Sequence, residues 1–354
     1  MGLGTTKRSF FLMNASLLPL AAGLPAQGAP APDVQVREGV LEVPGTVALH
    51  HGGSVAGMRV SWRLAGPAGA PVVCALGGIS ASRRVCLTED PRESWWAPVA
   101  GPGLALDTQR FAVLSFDFIG GGQPLLSDGA LPSISTYDQA EVLLRLLNHL
   151  GIKALRALVG ASYGGMVALA FGERYPERVA QLIVISAADR THPLATGWRS
   201  VQRRIVRLAL EENRAADGMQ LARALAMTTY RSAEEFAARF DCEPARQDDG
   251  RFVFPVEGYL LSRGADFAAR HRAQTFLTLS ESIDLHRVDA TRIFVPVAAI
   301  AVREDQLVPL ADMRALVARL PRARLHEISS FFGHDAFLKE GDQLHGLFSR
   351  TLGA

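Results

Sequence analysis

The stretch Gly160-Ala161-Ser162-Tyr163-Gly164 constrains this chain more than any other. It lies between an apolar run, residues 154–159, and the helix-like segment Met166-Val167-Ala168-Leu169-Ala170-Phe171. A serine on a sharp strand-to-helix turn has its hydroxyl lifted clear of the sheet, and only neighbours without side chains tolerate the close backbone packing such a turn needs. The helix N-terminus behind the serine favours the negative charge that builds up during acyl transfer. A glycine-rich turn that merely contains a serine is the plainer alternative. The strand–turn–helix context favours a nucleophile, Ser162.

A serine nucleophile needs a base, and on this kind of sheet the acid and then the histidine follow in chain order, each after a later strand. Residues 292–302 read as a buried strand that runs into Arg303-Glu304-Asp305, which places an acid just beyond its carboxyl end. Asp305 is the expected member, with Glu304 its neighbour and competitor. Residues 324–328 form a last short strand, followed by Phe331-Phe332-Gly333-His334-Asp335. His334 is the expected base; His326 within the strand and His345 in the terminal helical pattern read as structural. An oxyanion hole requires the N–H after the nucleophile, that of Tyr163, and one from the loop after an early strand. Residues 72–76 are that strand, and Gly77 in the Gly77-Gly78 turn is the expected second donor.

The composition excludes several functional classes. With 354 residues, 48% apolar and 20% charged, the chain can bury a large core. A net charge of +2 gives no footprint for nucleic acid or an anionic membrane surface. The three cysteines, Cys74, Cys86 and Cys242, have neither disulfide-framework nor metal-site spacing, and no metal is expected. Residues 1–33 carry Lys7-Arg8, a short apolar run and Ala26-Gln27-Gly28-Ala29, a pattern that resembles a signal peptide and is too short and broken to span a membrane.

Strand-like segments at 58–64, 72–76, 111–116, 155–159, 179–185, 294–302 and 324–328 alternate with helical patterns. This predicts an α/β fold, a mostly parallel sheet with helices on both faces. The gap between the fifth and sixth segments is too long for a crossover helix. The expected organisation is a leader at 1–33, a core at 34–190 and 289–354, and an inserted all-helical cap at 191–288 over the carboxyl edge of the sheet.

Several motifs go beyond a generic α/β hydrolase. Trp95-Trp96 with Gly101-Pro102-Gly103, Leu106-Asp107-Thr108-Gln109-Arg110-Phe111, Ser162-Tyr163-Gly164-Gly165-Met166, Tyr175-Pro176-Glu177-Arg178-Val179, Thr229-Tyr230-Arg231-Ser232, Val256-Glu257-Gly258-Tyr259-Leu260 and Gly333-His334-Asp335-Ala336-Phe337 together resemble the homoserine O-acyltransferases of methionine biosynthesis, over about residues 40 to 350. The resemblance implies an α/β-hydrolase fold, a Ser162/Asp305/His334 triad, and acyl transfer from acyl-CoA to the hydroxyl of L-homoserine without a bound cofactor. It further implies that Arg203 holds the substrate carboxylate and Asp335 its ammonium, chemistry that suits a planar guanidinium fork and an acid beside the base. Family members that use succinyl-CoA often carry an arginine two residues after the triad aspartate. Leu307 stands there, which favours acetyl-CoA, with succinyl-CoA open. A homodimer is expected, and the use of CoA thioesters points to the cytoplasm, with the signal-like leader pointing to the periplasm instead. The rival readings are an esterase or thioesterase with the same triad, and a non-catalytic binding protein.

Overall fold

The computed structural model describes residues 34–120 and 132–353; the leader at 1–33 lies outside them. The apolar runs are strands with both faces buried. β1 (Val34–Glu42), β2 (Arg59–Pro67), β3 (Val72–Leu76), β4 (Ala112–Phe116), β5 (Ala157–Ala161), β6 (Leu182–Ile185), β7 (Val297–Val302) and β8 (Ala323–Ile328) form one eight-stranded sheet in the order β1-β2-β4-β3-β5-β6-β7-β8. From β4 to β8 every pairing is parallel, and β1 and β2 add an antiparallel edge. This is the α/β-hydrolase fold.

Alternation along each strand splits its residues between two cores. Cys74 and Leu76 face one core, with Leu143 and Leu146 of α1 (Thr136–His149) and Leu169 and Phe171 of α2 (Tyr163–Arg174). Val73 and Ala75 face the other, with Trp96 and with Leu344, Leu347 and Phe348 of the C-terminal helix. A strand buried on both sides reads as a continuous apolar run, which is why β3 to β7 are visible in the sequence. β1 is the strand that the sequence pattern misses. It is an edge strand, largely exposed and charged in Val34-Gln35-Val36-Arg37-Glu38, so it has no apolar periodicity to detect.

The chain leaves β3 towards β4 on one side and returns to β5 on the other. The carboxyl ends of β3 and β5 therefore flank the crevice where the connections diverge. Five helices stand between β6 and β7: α3 (Pro193–Glu211), α4 (Ala215–Tyr230), α5 (Ala233–Phe240), α6 (Pro255–Ala268) and α7 (Ala273–Asp284). Four of them, α3, α4, α6 and α7, share an apolar centre of Val206, Met219, Ala222, Phe267 and Phe276. The insert is not all-helical, as a short antiparallel hairpin pairs Ala245–Arg246 with Phe252–Val253. Its polar turn, Gln247-Asp248-Asp249-Gly250, favours chain reversal over another helical turn.

The turn after β5 depends on two glycines. A Cβ on Gly160 would collide with the Gly164 carbonyl, and a Cβ on Gly164 with the Leu76 carbonyl of β3. Gly164→Ala is accordingly expected to destabilise the protein by ~3 kcal/mol or more, since backbone on both sides of the clash has no freedom to shift. Thermal unfolding checks this: a midpoint equal to that of the parent protein would show that the turn has slack.

Candidate active site

Ser162 stands between β5 and α2 with φ 54° and ψ −121°, a conformation that a residue with a side chain adopts only under strain. Its N–H donates to the Ile185 carbonyl at 2.9 Å, and the Oγ is thereby held above the sheet. Asp305, in the loop after β7, is buried; its Oδ1 accepts the Leu307 and Val308 N–H groups at 2.9 and 3.0 Å. His334 lies in the short turn Gly333–Asp335 that follows β8. Its Nδ1 is 2.7 Å from Asp305 Oδ2 and its Nε2 is 2.9 Å from Ser162 Oγ. Because the carboxylate claims the proton on Nδ1, Nε2 is left bare and accepts the serine hydroxyl.

The two adjacent acids separate cleanly. Glu304 turns away to the loop before His334, where it accepts the Ser330 N–H at 2.8 Å and the Ser329 hydroxyl. Asp305 alone of the pair meets the imidazole.

Burial works against a charged His334, but the Asp305 carboxylate, through its charge and its hydrogen bond, and Asp335 beside it hold the imidazole above its ordinary value of 6.5. A base that retains protons this well is suited to take one from a serine hydroxyl and return it to a leaving group.

These groups open into a cavity of about 220 Å³ beneath the cap. Its apolar wall includes Trp95, Met166, Phe276, Leu307 and Phe337, and its charged lining is Arg190, Arg199, Arg223, Asp312 and Asp335. The structure distributes the remaining expected residues unevenly. Tyr163 starts α2, so its N–H is free at the helix N-terminus, while its side chain leaves for the core: its hydroxyl lies 2.6 Å from Ser282 Oγ and its ring is edge-on to Phe118. Gly77 lies behind the wall, packed against Ala81 and Trp95, and its carbonyl accepts the Gly164 N–H. It is Gly78 that reaches the cavity.

Asp335 lines the cavity as the resemblance implies. Burial raises its carboxyl pKa, opposed by the nearby Arg231, His334 and Arg223 charges. Arg203 does not line it. Its Nη1 is spent on Asp284 Oδ2 at 2.6 Å and on the Ser280 carbonyl at 2.9 Å, because its position on α3 turns it towards α7. Arg199 shares Asp284 at 2.7 Å but also borders the cavity. Arg223 of α4 is the more available cation: it stacks on Tyr230 and Phe267 at 4.9 Å from each ring centre and has no carboxylate partner among the described residues. Sequence reasoning passed over it inside a helical pattern. A signal was present, because Met219, Arg223 and Met227 recur at intervals of four, and a charge within a buried stripe needs a reason.

Comparison with known proteins agrees with the fold. Residues 71–340 match the family model described as alpha/beta hydrolase fold. The chain is similar to the homoserine O-succinyltransferase of Xanthomonas campestris, 41% identical over 93% of this chain and 86% of that protein. It is also similar to the homoserine O-acetyltransferase of Thermus thermophilus, 35% identical over 74% of this chain and 72% of that protein. Among solved structures, esterase E22 superposes with a TM-score of 0.81 at 20% identity, covering 90% of this chain and 100% of that one. That last likeness concerns the fold alone.

The raised His334 pKa has a measurable consequence. Only neutral imidazole accepts the serine proton, so labelling of Ser162 by a fluorophosphonate should rise with pH through a midpoint above the ordinary histidine value. Asp305→Asn removes what raises it. The midpoint should then move down and the plateau rate fall by ~10³-fold or more; an unmoved midpoint would separate Asp305 from the base.

Proposed function

The chain belongs to the homoserine O-acyltransferase family of α/β hydrolases and is an acyltransferase, and from that premise we propose that it carries an acyl group from acyl-CoA to the hydroxyl of L-homoserine through an acyl-Ser162 intermediate. One observation carries this reading: the hydrogen-bonded line Asp305–His334–Ser162 ends in a capped cavity whose wall holds both an acid, Asp335, and an arginine, Arg223, with no carboxylate partner among the described residues. An amino acid is a zwitterion, and a site of this kind meets both of its charges.

In the first half-reaction His334 takes the Ser162 proton as Oγ attacks the thioester carbonyl. The oxyanion sits against the N–H groups of Tyr163 and Gly78, the latter in place of Gly77, and CoA leaves as its thiol with the proton from His334. Homoserine then enters with its ammonium on Asp335 and its carboxylate on Arg223, in place of Arg203. His334 deprotonates its hydroxyl, which attacks the acyl-serine and releases the O-acyl product. No cofactor enters either step.

For the donor, succinyl-CoA is the reading the cavity supports. With Arg223 assigned to the acceptor carboxylate, Arg190 remains in the lining for a second one, and the Xanthomonas campestris relative carries that activity in its name. Acetyl-CoA is the second reading, because the cavity wall two residues after Asp305 is the apolar Leu307. The esterase of the same fold shows that architecture does not choose between water and an alcohol, so the choice falls to the cap and its charged lining. We place the enzyme in the cytoplasm, where CoA thioesters are found, in a biosynthetic route that consumes O-acylhomoserine. No helix among the described residues is long and apolar enough to cross a membrane.

CoA release measured with each donor, with and without L-homoserine, tests the reading. A burst of one equivalent without acceptor, followed by turnover only when homoserine is added, is expected; steady release without acceptor would make the protein a thioesterase. Arg223→Lys should raise the homoserine KM ~10-fold or more, because a lysine keeps the charge but loses the planar fork, and should leave the burst intact. Deleting residues 1–33 should leave turnover unchanged in a cytoplasmic enzyme, and a processed periplasmic form on fractionation would overturn that location.

A further inference from the structure

Asp335 is bordered by charges from several elements: His334 beside it, Arg223 of α4, Arg231 at the end of α4 and Glu235 of α5. Of the two arginines, Arg223 lines the cavity and Arg231 stands outside its lining, on the other side of Asp335. Its Nε is 3.1 Å from Asp335 Oδ2, yet this N–H is not aligned for a hydrogen bond. The contact is one of charge, and among the described residues no hydrogen bond is made to the Asp335 carboxylate.

Arg231 is itself held from the far side. Its Nη1 lies 3.3 and 3.2 Å from the two carboxylate oxygens of Glu235, which also accepts Arg239 at 2.8 Å. Gln306 donates to the Arg231 carbonyl at 3.2 Å, and the next residue, Ser232, donates to the Phe331 carbonyl at 2.6 Å in the loop that carries His334. Asp335, Arg231, Glu235 and Arg239 thus alternate in sign along one line from the cavity to the surface.

We propose that Arg231 is a positioning residue that keeps the buried Asp335 ionised, and so makes the site selective for acceptors with a free ammonium. This rests on the reading that Asp335 receives that ammonium. Without Arg231 only His334 and Arg223 are left to oppose burial, and a carboxyl group this deeply buried takes up a proton more readily. A neutral acid no longer attracts an ammonium more than any other polar group, and acceptor recognition is lost while thioester attack proceeds.

The test compares Arg231→Gln, Arg231→Lys and Asp335→Asn with the parent enzyme, reading kcat/KM for L-homoserine and the acyl-CoA burst from about pH 6 to about pH 8.5. Taking the ratio to the parent at each pH cancels the titration of His334 that all share. Asp335 must be a carboxylate to bind, so loss of Arg231 weakens acceptor use at low pH and the defect fades as pH rises. For Arg231→Gln the ratio should be down ~10-fold or more near pH 6.5, recover most of that loss by about pH 8.5, and leave the burst intact. Arg231→Lys, which restores a cation and guards against a variant that fails to fold, should stay within ~3-fold of the parent throughout. A Gln defect that does not vary with pH, or an equal defect in Lys and Gln, would overturn the proposal and leave Arg231 a packing residue. If Asp335→Asn also leaves homoserine use unchanged, the ammonium reading of Asp335 falls first; if only that variant is impaired, the role of Arg231 falls alone.

Discussion

The site depends on a backbone strain at Ser162. A serine at φ 54° and ψ −121° costs about 1–3 kcal/mol relative to a relaxed turn, and it persists because the surroundings leave no other path. Gly160 and Gly164 touch backbone with no room for a side chain, and Gly164 packs on the Leu76 carbonyl at the end of β3. The same approach that strains the serine also brings β3, β5 and the start of α2 together. The turn after β3 and the first N–H of α2 therefore meet at one place, which is where a tetrahedral oxyanion would need them.

The second constraint is electrostatic and belongs to the cap. His334 and Asp335 are consecutive, yet one is turned to Asp305 in the core and the other to Arg231 on the cap. The turn between β8 and the last helix is gripped from both sides, by Glu304 and Glu340 below and by Ser232 above. Gly333, at φ 56° and without the Cβ that would crowd the Tyr230 carbonyl, lets the two layers approach. A shift of the cap would therefore be felt at His334.

Parts of this were legible in the residues alone. Strands β3 to β7 announced themselves as apolar runs because both of their faces are buried, and the insert expected at 191–288 holds five helices. β1 was not legible, because an exposed edge strand has no apolar face to betray it. The hairpin in the cap was missed for a related reason: two-residue strands carry no period. In the site, chain order pointed to Ser162, Asp305 and His334, and the structure places His334 within hydrogen-bonding distance of both Asp305 and Ser162.

What the sequence by itself determined was whatever is local: a turn that only glycines permit, strands recognisable by burial, and the order of serine, acid and histidine along the chain. It did not determine which way a side chain on a cap helix would point. Arg203 and Arg223 both lie in helical patterns, and a helix offers every direction in turn. Only the packing of α3 against α7 sent Arg203 to Asp284, and only the packing of α4 against α3 and α6 left Arg223 facing the cavity. The difference between Gly77 and Gly78 has the same origin, since neighbours one residue apart in a turn point in different directions and the fold decides which of them meets the cavity. Side-chain direction is set by contacts between segments distant in the chain, and those exist only once the tertiary structure has formed.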